Sequence, residues 1–137
     1  MKHNVKKMFD SICNEYDFIN DIITFRMHRI WKNDIKKLVH VLKPKKILDV
    51  ATGTADIAIA LNGVNDCKII GIDISSKMLE VGNKKLKKLN SNHNTTLELG
   101  NAEKLKYVDN FFDVITIGYG VRNFINLKKS LNEIYRV

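Results

Sequence analysis

The fold is decided by the stretch ILDVATGTAD, which runs from Ile47 to Asp56. Its first residues form a short apolar run, which is typical of a buried parallel strand. A loop of small residues around Gly53 follows, and a helix is predicted from there to about Leu61. Taken alone, the loop suits either a plain tight turn or a ligand-binding turn in which Gly53 lets the backbone come close to a bound molecule.

Strands and helices alternate along the rest of the chain. The predicted strands are 47–50, 68–72, 96–99 and 114–117, and helices are predicted from Ser75 or Ser76 to about Leu89 and from Asn126 to Tyr135. Alternation at this spacing indicates βαβ units and therefore an α/β fold with a doubly wound, Rossmann-like parallel sheet. Because the chain stops at Val137 after four countable strands, we expect this sheet to be truncated at its C-terminal end.

The part of the chain before Pro44 has helical spacing of its apolar residues. Two helices are predicted there, and the second places Trp31, Ile35, Leu38 and Leu42 on one face. These helices would form an N-terminal helical cap over residues 1–43, followed by a ligand-binding α/β domain over residues 44–137.

The bulk properties exclude several classes of protein. No apolar run approaches the roughly 20 residues that span a bilayer. Cys13 and Cys67 are too few for a disulfide scaffold or a zinc site, so we expect no metal site and two reduced thiols in a cytoplasmic protein. The net charge of +8 comes from dispersed lysines without interleaved aromatic residues, which argues against nucleic acid as a partner.

Residues with binding chemistry follow the other predicted strands. Asp73 comes 20 residues after Gly53, where a carboxylate can accept both hydroxyl groups of a ribose; the alternative is an acid that only stabilises a helix N-terminus. Asn101 and Ala102 follow the third strand and can bond the edge of an adenine, and Gly118 at the end of the fourth leaves room for a methyl donor and its acceptor.

The loop also distinguishes between two adenosine-containing ligands. A dinucleotide site prefers glycine at three places of the G-x-G-x-x-G pattern, where this chain has Ala51, Gly53 and Asp56. An acid at the third place would repel a pyrophosphate but not a sulfonium compound. The loop therefore favours S-adenosylmethionine over the cofactor of a nicotinamide-dependent oxidoreductase.

Three separated motifs resemble those of one family, the ubiquinone/menaquinone biosynthesis C-methyltransferases. They are Tyr16-Asp17-Phe18-Ile19-Asn20 with Thr24, His28 and Trp31; the loop Asp49 to Asp56; and Gly100-Asn101-Ala102-Glu103 with Asp109-Asn110, Phe112-Asp113 and Gly120-Val121-Arg122-Asn123-Phe124. The chain departs from the family pattern at Ile19, Thr24 and Ala55, where the family has Met, Ser and Gly.

The resemblance implies a class I S-adenosylmethionine-dependent methyltransferase. The implied cofactor-binding residues lie at the ends of the four predicted strands: Asp49, Gly53, Thr54, Asp73, Asn101, Ala102 and Gly118. The implied substrate is a prenylated quinol, and the loop favours demethylmenaquinol in menaquinone biosynthesis. The alternatives are the methoxybenzoquinol of the ubiquinone pathway and a truncated, non-catalytic remnant that only binds the cofactor.

Four residues are expected to take part in methyl transfer. Arg122 would stabilise the quinolate, Asn123 would orient it, His28 would accept a proton, and Tyr16 would form a wall or a hydrogen bond. His28 would otherwise be a packing residue beside Trp31, and Arg122 a surface ion pair. A prenylated substrate leaves open a peripheral contact with the inner face of the membrane, and a homodimer is also left open.

Overall fold

The computed structural model describes residues 2–13, 15, 27–64, 66–90 and 93–137, and in its first two helices the described side chains begin at Lys6 and Trp31. Its helices are α1 (Lys2–Ile12), α2 (Met27–Leu42), α3 (Asp56–Leu61), α4 (Ser76–Lys88) and α5 (Leu127–Arg136). Its strands are β1 (Lys46–Val50), β2 (Lys68–Asp73), β3 (Thr95–Leu99) and β4 (Val114–Ile117), and a 3₁₀ helix covers Tyr119–Asn123. The strands and helices predicted from the sequence are all present, within one residue at most ends.

Side-chain caps set the starts of the two longer helices of the α/β part. The Ser75 hydroxyl accepts a hydrogen bond from the backbone N–H of Met78, so α4 begins at Ser76. The Asn126 side chain accepts one from the N–H of Lys129 in the same way and starts α5. Both caps satisfy N–H groups that have no partner within the first turn of a helix.

Within the part of the chain that the structure describes, the strands form one parallel sheet in the order β3-β2-β1-β4. In the register, Val50 lies beside Ile72 on one side and beside Ile117 on the other. The carboxyl ends of β1, β2 and β4 therefore meet at one edge, with the order of connections reversing beside β1. Such a reversal is where open α/β sheets bind ligands.

Both faces of the sheet are covered. Ile47 of β1 packs with Val39 of α2 and with Ala58 and Leu61 of α3 in one cluster. The next residue, Leu48, points to the other face and belongs to a second cluster, to which Ile134 of α5 adds its side chain. This alternation along β1 makes the sheet doubly wound, as the sequence predicts.

Two details of the helices differ from the prediction. The sequence predicts Leu79, Gly82, Leu86 and Leu89 on the buried side of α4; the first three are buried, but Leu89 is 56% exposed because α4 ends at Lys88, one residue before it. On α2, Leu38 and Leu42 are exposed and Val39 is buried instead, because α2 packs on α3 through Val39 and the half-buried Ile35. Among the described residues, no helix combines the length and the hydropathy that crossing a membrane requires.

Candidate ligand-binding site

A cavity of about 370 Å³ opens at the carboxyl ends of the strands. This volume is within the usual range for small-molecule sites. Its walls include most of the sequence-predicted site residues: Gly53, Thr54, Asp73, Asn101, Ala102, Gly118 and Asn123. The parallel register explains why residues so far apart in the chain share one wall.

The loop between β1 and α3 carries an unusual backbone. Ala51, Gly53 and Ala55 all have positive φ values, of 54°, 57° and 66°. This left-handed conformation is unfavourable for residues with a Cβ, so the two alanines store conformational energy beside the cavity. A Cβ on Gly53 would meet nothing within 4 Å, so its positive φ, rather than a lack of space, is what favours glycine there.

Asp73 connects two of the strand-end loops. Its Oδ2 accepts a hydrogen bond from the backbone N–H of Gly53 and its Oδ1 accepts one from the N–H of Ser75, both at 2.9 Å. Burial raises the pKa of this carboxyl above its ordinary value, against the lowering effect of these hydrogen bonds. The half-buried carboxylate is thus held in place where it lines the cavity.

Asp49 lies below the loop and does not line the cavity. Its Oδ2 accepts a hydrogen bond from the hydroxyl of Thr52 at 2.5 Å, and its Oδ1 accepts one from the hydroxyl of Thr116 on β4 at 2.6 Å. Burial raises its pKa to about 6, and the nearby charge of Asp73 adds to this. Asp49 thus holds the loop against β4, and its predicted contact with the cofactor stays a prediction.

Asp56 connects three helices at the other side of the loop. Its two oxygens accept hydrogen bonds from Lys32 of α2 at 2.6 Å and from Lys85 of α4 at 2.5 Å. Burial alone would raise the pKa of Asp56, but the two ammonium groups keep it below its usual value. The argument that Asp56 would repel a pyrophosphate is thereby weakened, because its charge is compensated by two lysines that the sequence does not place beside it.

The loop after β3 has its own internal hydrogen bonds. The Asn101 side-chain oxygen accepts a hydrogen bond from the N–H of Glu103 at 2.9 Å, and its backbone oxygen accepts one from the N–H of Lys104 at 3.0 Å. Asn101 therefore shapes this turn as well as lining the cavity beside the buried Ala102.

The structure describes the side chains of two of the four predicted catalytic residues, Arg122 and Asn123. Asn123 lines the cavity, but Arg122 is exposed and does not. Both belong to the 3₁₀ helix, in which successive side chains point about 120° apart, and in the structure only Asn123 faces the cavity. Tyr16 and the side chain of His28 lie outside the described residues.

The whole chain, residues 1–137, matches the model of the ubiE/COQ5 methyltransferase family. The chain belongs to this family. It is 41% identical over 138 residues to a demethylmenaquinone methyltransferase of Geobacillus stearothermophilus, and 40% identical to one of Listeria monocytogenes serotype 4b. Each alignment covers 99% of this chain and 58% of the relative, so the chain spans less than two thirds of the length of these curated relatives.

Solved structures of methyltransferases share the fold of this chain. A putative S-adenosylmethionine-dependent methyltransferase of Methanococcus maripaludis superposes with a TM-score of 0.81 at 22% identity, over 93% of this chain and 57% of that one. A methyltransferase of Aquifex aeolicus gives 0.73 at 23% identity, over 93% of this chain and 66% of that one. The predicted class I methyltransferase fold and the predicted family are confirmed.

Several cavity residues of this family member escaped the sequence reasoning. Most of them come from the helices that close the cavity: Lys6, Phe9, Lys32, Ile35, Ile57 and Ser130. Trp31, which the sequence offered as part of a motif, lies with its ring centroid 6.0 Å from that of Tyr119 at the cavity wall. Helical periodicity indicated which residues share a face, but not which part of that face reaches the strand ends.

Proposed function

We propose that this chain binds S-adenosylmethionine in the cavity and serves the C-methylation of a prenylated quinol, demethylmenaquinol. The observation that carries the proposal is the position of Asp73, whose carboxylate lines the cavity next to the loop around Gly53. Membership in a methyltransferase family and relatives named demethylmenaquinone methyltransferase at 41% identity support it and favour the menaquinone pathway over the alternatives.

The residues present fit this cofactor. Asp73 is an acceptor for ribose hydroxyls, Asn101 and Ala102 form the wall for the base, and the small Gly118 leaves space at the end of β4. The carboxylates of this edge tolerate a ligand with a positive sulfonium group. When bound, S-adenosylmethionine would supply an electrophilic methyl group, and the protein would have to align the acceptor carbon with it.

On the acceptor side, we propose that Asn123 orients the quinol, because its side chain reaches the cavity. Stabilisation of the quinolate by Arg122 would require that side chain to turn towards the cavity from its exposed position. His28 as proton acceptor and Tyr16 as a wall residue stay predictions. A quinol carbon becomes nucleophilic as its hydroxyl group loses a proton, which is the step that these four residues would assist.

We also propose that the protein works in the cytoplasm at the inner face of the membrane, where a prenylated substrate is found. Leu38, Val41 and Leu42 form an exposed apolar strip on α2. Lys36 and Lys37 on the same helix are exposed beside it and would attract anionic lipids. A homodimer stays a prediction.

Two measurements test the proposal. Isothermal titration should show binding of S-adenosylhomocysteine and none of NAD, and the reverse would contradict the choice of cofactor. Transfer of a labelled methyl group from S-adenosylmethionine to demethylmenaquinol should then be measured, with the Geobacillus relative as positive control. Binding without transfer would support the non-catalytic alternative for this chain.

A further inference from the structure

Ser130 carries a buried hydroxyl group at the cavity. It is 0% exposed, it lines the cavity, and its Oγ has no hydrogen-bond partner among the described residues. A buried hydroxyl without a partner lowers stability, since it has lost its water and gained nothing in return. An alanine at this place would carry no unsatisfied polar group, so stability alone does not explain the hydroxyl.

The position of Ser130 assigns it to one wall of the cavity. It lies on α5 one turn before Ile134, so the two side chains share a face of that helix. Ile134 packs in the cluster that contains Val50, Ile72 and Ala102. The face of α5 that bears Ser130 therefore points at the ends of β1 and β2 and at the loop after β3.

The opposite wall belongs to the other face of the sheet. Trp31, Lys32 and Ile35 reach the cavity from α2, which packs on α3. On that side Lys32 forms an ion pair with Asp56. The unpartnered hydroxyl is thus on the side of Ala102, away from these charged groups.

We propose that the Ser130 hydroxyl forms a hydrogen bond with the purine base of the bound ligand. The inference rests on the proposed function, since it needs a ligand whose ribose is bound by Asp73. A ribose at the end of β2 directs its base towards the neighbouring loop after β3, where Ala102 lines the cavity and towards which the face of α5 that bears Ser130 points. A purine edge offers both donors and acceptors, and a hydroxyl group can pair with either.

The test is the variant Ser130→Ala, with Asn132→Ala on the exposed side of the same helix as control. Isothermal titration is done with S-adenosylhomocysteine and with 5′-methylthioadenosine, which lacks the amino-acid part. Loss of one hydrogen bond to the base should lower the affinity for both ligands by about 5- to 10-fold in Ser130→Ala and leave both affinities unchanged in the control. Without ligand, Ser130→Ala should melt about 3 °C or more above the control, because an unsatisfied buried hydroxyl has been removed.

The outcomes separate this inference from the proposed function. If the unaltered chain binds neither ligand, the proposed function is wrong and the inference is wrong with it. If the chain binds both and Asp73→Ala binds them weakly while Ser130→Ala binds them normally, only the inference is overturned. A loss confined to S-adenosylhomocysteine also overturns it, because Ser130 would then contact the methionine part.

Discussion

Two regions of the molecule, residues 51–55 and residues 105–113, differ in how their surroundings affect a nearby carboxylate. The loop at 51–55, beside the cavity, has two alanines with positive φ and lies against the buried Asp49, whose pKa is raised to about 6. The segment at 105–113 is held by the end of α5, where hydrogen bonds from Arg136 and Leu105 lower the pKa of Glu133 to about 2. In the first region ionisation is opposed by its surroundings, and in the second it is favoured.

Arg136 is the centre of the second region. Its guanidinium donates to the backbone oxygens of Leu105 and Tyr107 and to the carboxylates of Asp109 and Glu133, at 2.8 to 3.1 Å. Glu133 also accepts a hydrogen bond from the N–H of Leu105 at 2.8 Å. Backbone strain and a buried carboxylate with a raised pKa are therefore concentrated beside the cavity, whereas ion pairs and hydrogen bonds stabilise the region at the end of α5.

The largest expected effect is on ligand binding in Asp73→Ala. Losing a pair of charge-assisted hydrogen bonds to the ribose should cost about 2–4 kcal/mol, or about 30- to 1,000-fold in affinity for S-adenosylhomocysteine. Isothermal titration measures this, with Asp109→Ala in the second region as control, because Asp109 is exposed and remote from the cavity. Unchanged affinity in a folded Asp73→Ala protein would contradict the cofactor assignment.

Asp49→Asn should stabilise the protein at neutral pH. The folded pKa of about 6 lies above the ordinary value for an aspartate, so burial of the charged form destabilises the folded protein in full above about pH 6, and this penalty disappears as the pH falls below about 4. An asparagine can still bond Thr52 and Thr116, one through its oxygen and one through its amide nitrogen.

We expect a gain of about 1–3 kcal/mol in the free energy of unfolding at pH 7.5, shrinking towards pH 4.5. Urea unfolding of both proteins at the two pH values measures the difference, in which the other titrating groups cancel. An equal effect at both pH values would show that the Asp49 pKa is not raised.

Glu133→Ala should have the opposite consequence, a loss of stability without a loss of binding. Removing a carboxylate that bonds Arg136 and the N–H of Leu105 should cost about 1–2 kcal/mol at pH 7, kept modest by solvent screening. Because the folded pKa is lowered to about 2, this contribution is present above about pH 4.5 and is lost as the pH falls towards 2. Glu80→Ala, at an exposed position on α4, is the control, and a change in ligand affinity would break the separation between the two regions.

The smallest effect distinguishes two buried alanines. Ala55 and Ala58 are both 0% exposed, but Ala55 has a φ of 66° and Ala58 lies within α3. Ala58→Gly should cost about 1 kcal/mol, as glycine does inside a helix. Ala55→Gly should lower the free energy of unfolding by about 1 kcal/mol less than Ala58→Gly does, since glycine relieves the left-handed strain at position 55. Equal losses in thermal unfolding would show that the positive φ of Ala55 is not costly.

Much of the fold could be predicted because its signals are local. The apolar run at β1, the cap at Ser75 and the 20-residue spacing between Gly53 and Asp73 all depend on residues that are near each other in the chain. The prediction that Leu89 is buried was wrong because α4 ends one residue earlier, and local signals do not fix where a helix ends.

The sequence by itself determined the order of elements, the parallel sheet and the set of strand ends that line the cavity, since a parallel sheet brings its carboxyl ends to one edge. Only the tertiary structure decided how each side chain there is used. The contacts of Asp49 with Thr116, and of Asp56 with Lys32 and Lys85, join residues 67, 24 and 29 positions apart. Arg122 faces outwards and Ser130 faces the cavity for the same reason, because the packing of a helix against the sheet selects which of its side chains are enclosed.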